Sequence, residues 1–328
     1  MINTNAKLSK KIFKKDMDMV APRDGYGKGL VELGEKDQNI VVLCGDLTES
    51  TRSQWFAEKF PERFVEVGVA EQNMMGIAAG LALSGKIPFV SSYATFNPGR
   101  NWDQLRVSVA YSQANVKVAG AHAGISVGPD GATHQALEDI AITRVLPGMT
   151  VIVPCDAIEA KKATLAIGQM RGPAYIRFGR EKTAQFTTDD TLFKIGRAEI
   201  FRDGTDVAII GSGIVIYNAL LAAEELAKEG IQCMVVNNHT IKPIDRRTIA
   251  LAAKKCRAVV TVEEHQINAG AGSAVIEVLA EECPVPVERV GMLDTYGESG
   301  QPFELIEKYG MGKDAIKKAV QKVLKRKS

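Results

Sequence analysis

The sequence predicts an α/β protein of two units, each built on a mostly parallel sheet, and three observations lead there. Short β-branched runs alternate along the chain with longer segments of helical composition, the rhythm of β/α/β crossovers. The run Ile40–Cys44 (IVVLC) is apolar without alternation, as a strand covered on both faces must be. A polar stretch at 182–190 (KTAQFTTDD) divides the alternation into two blocks. At 328 residues the chain can form two domains that each bury a core.

Residues 1–20 form a Lys-rich arm with little power to fold alone. The first unit, 21–185, then runs through the strand at 40–44, a helix at 70–83 whose small residues permit close packing, and a strand at 87–91. It continues with a helix at 102–113, strands at 116–119 and 150–153, a helix at 157–168, and a closing strand at 175–178. A linker at 186–197 leads to the second unit, 198–328. Its strands are expected at 206–210, 232–236 and 258–262, with helices at 217–228, 246–255 and 271–282.

Bulk composition excludes several classes. Apolar residues make up 45% and charged residues 24%, and the formal charge is +2, so the chain reads as a globular protein with no call for a nucleic-acid partner. No apolar run approaches the ~20 residues of a membrane span, and the first 20 residues lack the apolar core of a secretory signal. The five cysteines are odd in number and form no CxxC, which fits reduced thiols in a cytoplasmic protein.

Ligands of open parallel sheets bind beyond the carboxyl ends of the strands, and three such loops are rich in polar residues. Gly45-Asp46-Leu47-Thr48-Glu49-Ser50 follows IVVLC and reads equally as a turn and helix cap. Glu71 opens a helix, where a carboxylate is also favourable to the helix dipole. The loop 122–135 (HAGISVGPDGATHQ) holds two of the four histidines among three glycines and Asp130. Histidines in a glycine-rich loop point to hydrogen-bonding ligands, and their spacing fits no common zinc pattern.

Taken in order, VGVAEQNMMGIAAGLAL, YATF, GPDGATHQALEDIA and AYIRFGRE resemble the pyrimidine-binding domain of transketolase, and the block after them resembles its C-terminal domain. The resemblance covers roughly residues 20–325. The Gly-Asp-Gly motif that anchors the cofactor diphosphate through a metal in such enzymes is missing: the nearest strings are Arg23-Asp24-Gly25, Pro129-Asp130-Gly131 and Arg202-Asp203-Gly204. The resemblance therefore implies the C-terminal subunit of a split transketolase. Thiamine diphosphate and Mg²⁺ would then be completed by an N-terminal partner subunit carrying the GDG…N pattern, in an expected α2β2 assembly.

The resemblance also implies roles. Glu71 falls on the carboxylate that shares a proton with the cofactor's aminopyrimidine, a use that burial against an apolar ring favours by raising a carboxyl pKa. Phe96 falls on the aromatic that stacks on that ring, against the plain reading of a core residue at a strand end. Gly99 stands where a further aromatic is expected, Trp102 where another lies, and Asp46 and Leu47 fall on a loop near the cofactor. His122 and His134 match histidines of the donor-sugar side, where imidazoles donate, accept and shuttle protons. Asp130 matches a reader of a sugar hydroxyl. Arg23, Ser50 and Arg180 match phosphate contacts, for which guanidinium is suited. Arg180 is preferred to Arg177 because residues 173–180 align without a gap. The implied reaction moves a two-carbon ketol unit from a ketose phosphate to an aldose phosphate.

In the second unit Gly211-Ser212-Gly213 begins a dinucleotide fingerprint whose third glycine would fall on Ile216, a weak signal. Gly270 and Gly272 make a turn that could hold an anion or serve packing. By the resemblance this unit lies away from the chemistry and builds the assembly; His239 and His265 receive no role. Competing readings are a 1-deoxyxylulose-5-phosphate synthase-like chain, a 2-oxoacid dehydrogenase β-type subunit, an NAD-dependent oxidoreductase and a non-catalytic scaffold subunit. His122 and THQALED argue against the first two.

Overall fold

The computed structural model describes residues 1–327, so Ser328, at the end of the expected second unit, lies outside the described residues. Two sheets dominate. The first has seven strands in the order Thr240–Lys242, Thr150–Ile152, Ala174–Phe178, Lys117–Ala121, Ile87–Tyr93, Ile40–Cys44 and Phe64–Glu66. The second has five: Val287–Met292, Val259–Gln266, Val207–Gly211, Cys233–Asn237 and Glu199–Arg202. Every neighbouring pair is parallel except those made by Thr240–Lys242 and Glu199–Arg202, which are antiparallel edge strands.

The reason IVVLC shows no alternation is visible in its packing. Ile40 and Val42 enter one core with Tyr26, Leu30 and Ala163. Val41 and Leu43 enter another, on the opposite face, with Met74 and Met75. Helix Pro22–Lys36, which the reading above did not place, begins with Pro at its first turn and lies along helix Ala157–Gln169. A Cβ at Gly29 would stand 2.7 Å from Thr164 Cβ, so glycine sets that close approach. The expected helix at 102–113 is instead one turn, Trp102–Gln104, that widens into a π-helix over Leu105–Tyr111.

The two halves are knit together. Strand Thr240–Lys242 leaves the second half to pair with Thr150–Ile152 at the edge of the first sheet. One continuous core joins Ile125, Leu137 and Cys155 to Ile209, Leu220 and Val260. The N-terminal arm lies on the second half, with the Asn3 amide donating to Phe201 O at 3.0 Å and Ala6 and Ile12 buried. Helix Lys313–Leu324, also unplaced by the sequence, buries Ile316, Val320 and Val323 at helical spacing. Each such side chain contributes about 1.5–3 kcal/mol of burial. All five cysteines are free. Among the described residues no helix is long and apolar enough to cross a membrane.

Candidate active site

Four neighbouring parallel strands end at Cys44, Tyr93, Ala121 and Phe178, and the loops that leave them bring most of the singled-out residues into one line. At one end lies Glu71, the first residue of helix Glu71–Leu83 and 1% exposed. Its Oε2 accepts from Arg100 Nη1 at 2.6 Å, and Ser92 Oγ stands 3.4 Å from Oε1. Asn101 Nδ2 donates to the Glu71 carbonyl at 3.1 Å and fixes the turn. The Arg100 guanidinium also lies 4.5 Å from the centre of the Phe96 ring, a cation–π distance. The edge-on ring of His134 meets Phe96 at 5.3 Å, and Thr133 Oγ lies 2.9 Å from His134 Nδ1. Tyr93 stacks parallel to Phe96 at 6.3 Å and lies 4.2 Å from His122.

His122 ends the line. It is fully buried, in the left-handed region at φ 52°, with Nε2 3.0 Å from the Ser50 carbonyl and 3.5 Å from Arg23 Nη1. A carbonyl accepts only, so Nε2 carries the hydrogen. That leaves Nδ1 a buried acceptor with no partner in the protein. Burial first, and then the charges of Arg23 and Arg180, push the imidazole pKa down to about 3. Buried in this way, His122 is held as a neutral imidazole, which does not favour the expected proton shuttling at this histidine.

Three arginines surround this end. Arg52 Nε donates to Asp24 at 2.7 Å. Arg180 pairs with Asp130 at 3.2 Å and with Glu181 at 3.5 Å. Arg23 donates Nη1 to the Ser50 carbonyl at 3.0 Å, its Nε is buried without a partner, and among the described residues it makes no ion pair. Burial and the neighbouring Arg52 lower its pKa. The result is an under-compensated positive pocket beside a buried acceptor, suited to an oxyanion carried by a hydroxylated molecule.

The other singled-out residues lie as follows. Asp46 is exposed, at φ 58°, with its amide donating to Glu66 Oε1 at 2.7 Å, and Leu47 is half-buried beside it. Gly45 borders the Glu71 carboxylate: a Cβ there would sit 3.8 Å from it. Ser50 engages the pocket through its carbonyl. Trp102 donates its indole N–H to Ile142 O at 2.7 Å and packs against the core that contains Met74 and Met75. A Cβ at Gly99 would run into the Thr95 carbonyl, so no aromatic fits there. The amides of the Gly270–Gly272 turn are taken by the protein's own carboxyl: Glu263 accepts from Ala271 N at 2.6 Å and Gly272 N at 2.9 Å. His239 stacks on Phe193, and His265 is buried beside Glu263. Sequence reasoning missed Arg100, Tyr93, Arg52 and Glu66. Arg100 carries a readable signal, since it lies one turn beyond Phe96 with its amide on the Phe96 carbonyl at 3.0 Å. Among the described residues no group of three or more His, Cys, Asp or Glu side chains could hold a metal ion.

The second half is not remote from this line. Glu264 Oε1 accepts from Ser126 N at 2.6 Å, and the Glu298 carbonyl accepts from Gln135 Nε2 at 2.9 Å. Strand Val259–Gln266 of the second half, expected from the resemblance to lie away from the chemistry, abuts the histidine loop.

A family model described as transketolase, pyrimidine binding domain, matches residues 18–185, and one described as transketolase, C-terminal domain, matches residues 196–316. A transketolase C-terminal section from Methanocaldococcus jannaschii is 45% identical over 307 residues, 93% of this chain and 96% of that protein. A 6-deoxy-6-sulfo-D-fructose transketolase subunit from Clostridium sp. is 43% identical, over 93% of this chain and 95% of that one. A solved structure described as a split gene transketolase, inactive beta4 tetramer, is similar with a TM-score of 0.89 at 47% identity, covering 94% of this chain and 100% of that one.

Proposed function

The chain belongs to the transketolase family, and we propose that it is the C-terminal half of a two-chain transketolase that moves a two-carbon ketol unit from a ketose phosphate to an aldose phosphate. One observation carries the reading: a flat cation, the Arg100 guanidinium, lies on the Phe96 face while bonded to Glu71. An aromatic face and a buried carboxylate are therefore presented to one planar, nitrogen-bearing group, and an aminopyrimidine is such a group. The residues fit thiamine diphosphate through this end of the molecule, with Glu71 and Phe96 as its main contacts and Asp46, Leu47 and Trp102 around them. When bound, thiamine diphosphate supplies the nucleophilic carbon that takes up and delivers the two-carbon unit.

Glu71 holds or releases a proton at its carboxylate, shielded from water by burial. His122 offers its bare Nδ1 as an acceptor for a substrate hydroxyl. His134, half-exposed at the other end of the loop, is the group left to move protons at the reacting oxygen. Arg23 binds the terminal oxyanion with Arg180 and Ser50, and Asp130 reads a hydroxyl next to them. The Mg²⁺ ligands and the GDG…N motif are assigned to an N-terminal partner subunit in an α2β2 complex. The catalytic line belongs to residues 21–185, joined through 186–197 to residues 198–328. A cytoplasmic site of action suits five free thiols. The relatives of nearly equal length, one described as an inactive assembly of β chains, support a chain that needs its partner.

The test is to mix the chain with the partner subunit and follow uptake of thiamine diphosphate and ketol transfer from xylulose 5-phosphate to ribose 5-phosphate. Glu71→Gln should fold, join the complex and lose most turnover. Near-normal turnover in that variant refutes the assignment.

A further inference from the structure

We propose that Glu264, on the second sheet, is a positioning residue for the histidine loop, so that donor-sugar recognition is set jointly by both halves of the chain; this rests on the sugar-phosphate reading of that loop. The loop 122–135 carries His122 at one end, His134 at the other and Asp130 between them. Its only regular structure is a pair of 3-10 turns over Ile125–Asp130, broken at Gly128, and its path is set by what it is pressed against. Glu264 is buried, and its Oε1 takes the Ser126 amide at 2.6 Å. Gly124 stands in the left-handed region at φ 86°, and a Cβ there would overlap the Glu264 carboxylate.

The other two loop glycines face the same way. At Gly128, φ 78°, a Cβ would lie 2.7 Å from Pro302 Cγ. At Gly131, φ 76°, it would lie 2.5 Å from Ser299 Oγ. Gln135 then ties the loop to itself and to the second half, donating to Ile125 O at 3.2 Å and Glu298 O at 2.9 Å. The three glycines are therefore accounted for by close approach of the second half, and not by a ligand.

A buried carboxylate is costly where a neutral acceptor would serve, so its use here needs partners. The carboxylate has the Ser126 amide and the nearby charge of Arg177, whose Nη2 donates to the Glu264 main-chain carbonyl at 2.7 Å while its Nε pairs with Asp139 at 2.9 Å. Arg177 belongs to the strand that leads to Arg180. One buried network thus joins the strand Ala174–Phe178 that leads to Arg180, the loop of both histidines and the second sheet. Losing the Ser126 bond frees the middle of the loop and moves Asp130 and His134 relative to His122, which is anchored separately on Ser50. Glu71 and Phe96 lie on other segments and keep their places.

The experiment uses the reconstituted complex with Glu264→Ala and Glu264→Gln, read by donor KM, kcat, thiamine diphosphate affinity and hydrogen exchange of residues 122–135. Glu264→Ala should raise donor KM about ten- to hundredfold, the scale of an ångström-sized misplacement. Cofactor affinity should stay within about twofold, and exchange at Ser126 should quicken. Glu264→Gln, which keeps an acceptor oxygen, should recover most of the KM. Should Glu264→Ala not fold, Glu264→Asp, which draws the carboxylate back by one methylene, carries the same prediction. An unmoved donor KM, or a fall in cofactor affinity that matches the KM change, overturns the inference. A wild-type complex that takes up no thiamine diphosphate sinks the functional reading itself, and the exchange data still decide whether Glu264 orders the loop.

Discussion

Replacing Arg100 by methionine should weaken the free chain and tighten its hold on the cofactor within the complex. Arg100 makes two contacts with the groups assigned to the aminopyrimidine: the ion pair with Glu71 at 2.6 Å and the ring face of Phe96 at 4.5 Å. Its side chain is 44% exposed, which places the ion pair near the weak end of the range, and a half-exposed cation–π contact is similarly small. Together they stabilise the chain by about 1–2 kcal/mol. Methionine keeps the stem but leaves the Glu71 carboxylate only Ser92 Oγ, at 3.4 Å. A ring that binds to Phe96 and Glu71 must take over both contacts from the guanidinium. The stability lost in the variant is therefore interaction energy that cofactor binding no longer has to offset, and the dissociation constant should fall about five- to thirtyfold. The paired assays are denaturant unfolding of the isolated chain and equilibrium dialysis of thiamine diphosphate against the reconstituted complex. A destabilised chain whose complex binds the cofactor no more tightly than wild type would refute the reasoning, because Arg100 would then keep its contacts alongside the bound ring.

Two further outcomes follow from the other end of the line. His122 has a folded pKa of about 3 against an ordinary 6.5, so the unfolded chain binds more protons between those values. Stability supported by the neutral ring is complete above pH 6.5 and is lost as pH falls, by about 2 kcal/mol between pH 6.5 and pH 5. His122→Asn should show that much less acid sensitivity in denaturant melts at pH 7 and pH 5, and equal losses in both proteins would count against a buried neutral His122. Arg23→Ala should raise the KM of a phosphorylated donor about tenfold or more and leave that of the unphosphorylated analogue unchanged. Equal losses with both donors would remove Arg23 from the oxyanion pocket.

The secondary structure was legible wherever one local pattern decided it. IVVLC is apolar throughout because its alternate residues feed two cores, and the helix expected at 271–282 is Ala271–Glu282 as read. Helix Lys313–Leu324 was equally periodic and went unread, with Ile316, Val320 and Val323 on one face. Strand Thr240–Lys242 could not be read, since three residues carry no period and its partner, Thr150–Ile152, is far off in sequence.

The site divides along the same line. The order of its motifs, the acid at the head of a helix, two histidines in a glycine-rich loop and the missing GDG are properties of the string of residues, and they sufficed for the family and for a likeness to split C-terminal subunits. Folding alone decided that Glu71 meets Arg100, that His122 is buried into neutrality, and that the loop's glycines answer to Glu264, Pro302 and Ser299. Residue type and local spacing limit which chemistry a position can offer. Charge state and hydrogen-bond partner depend on what distant segments bring within a few ångströms, and only the closed tertiary structure settles that.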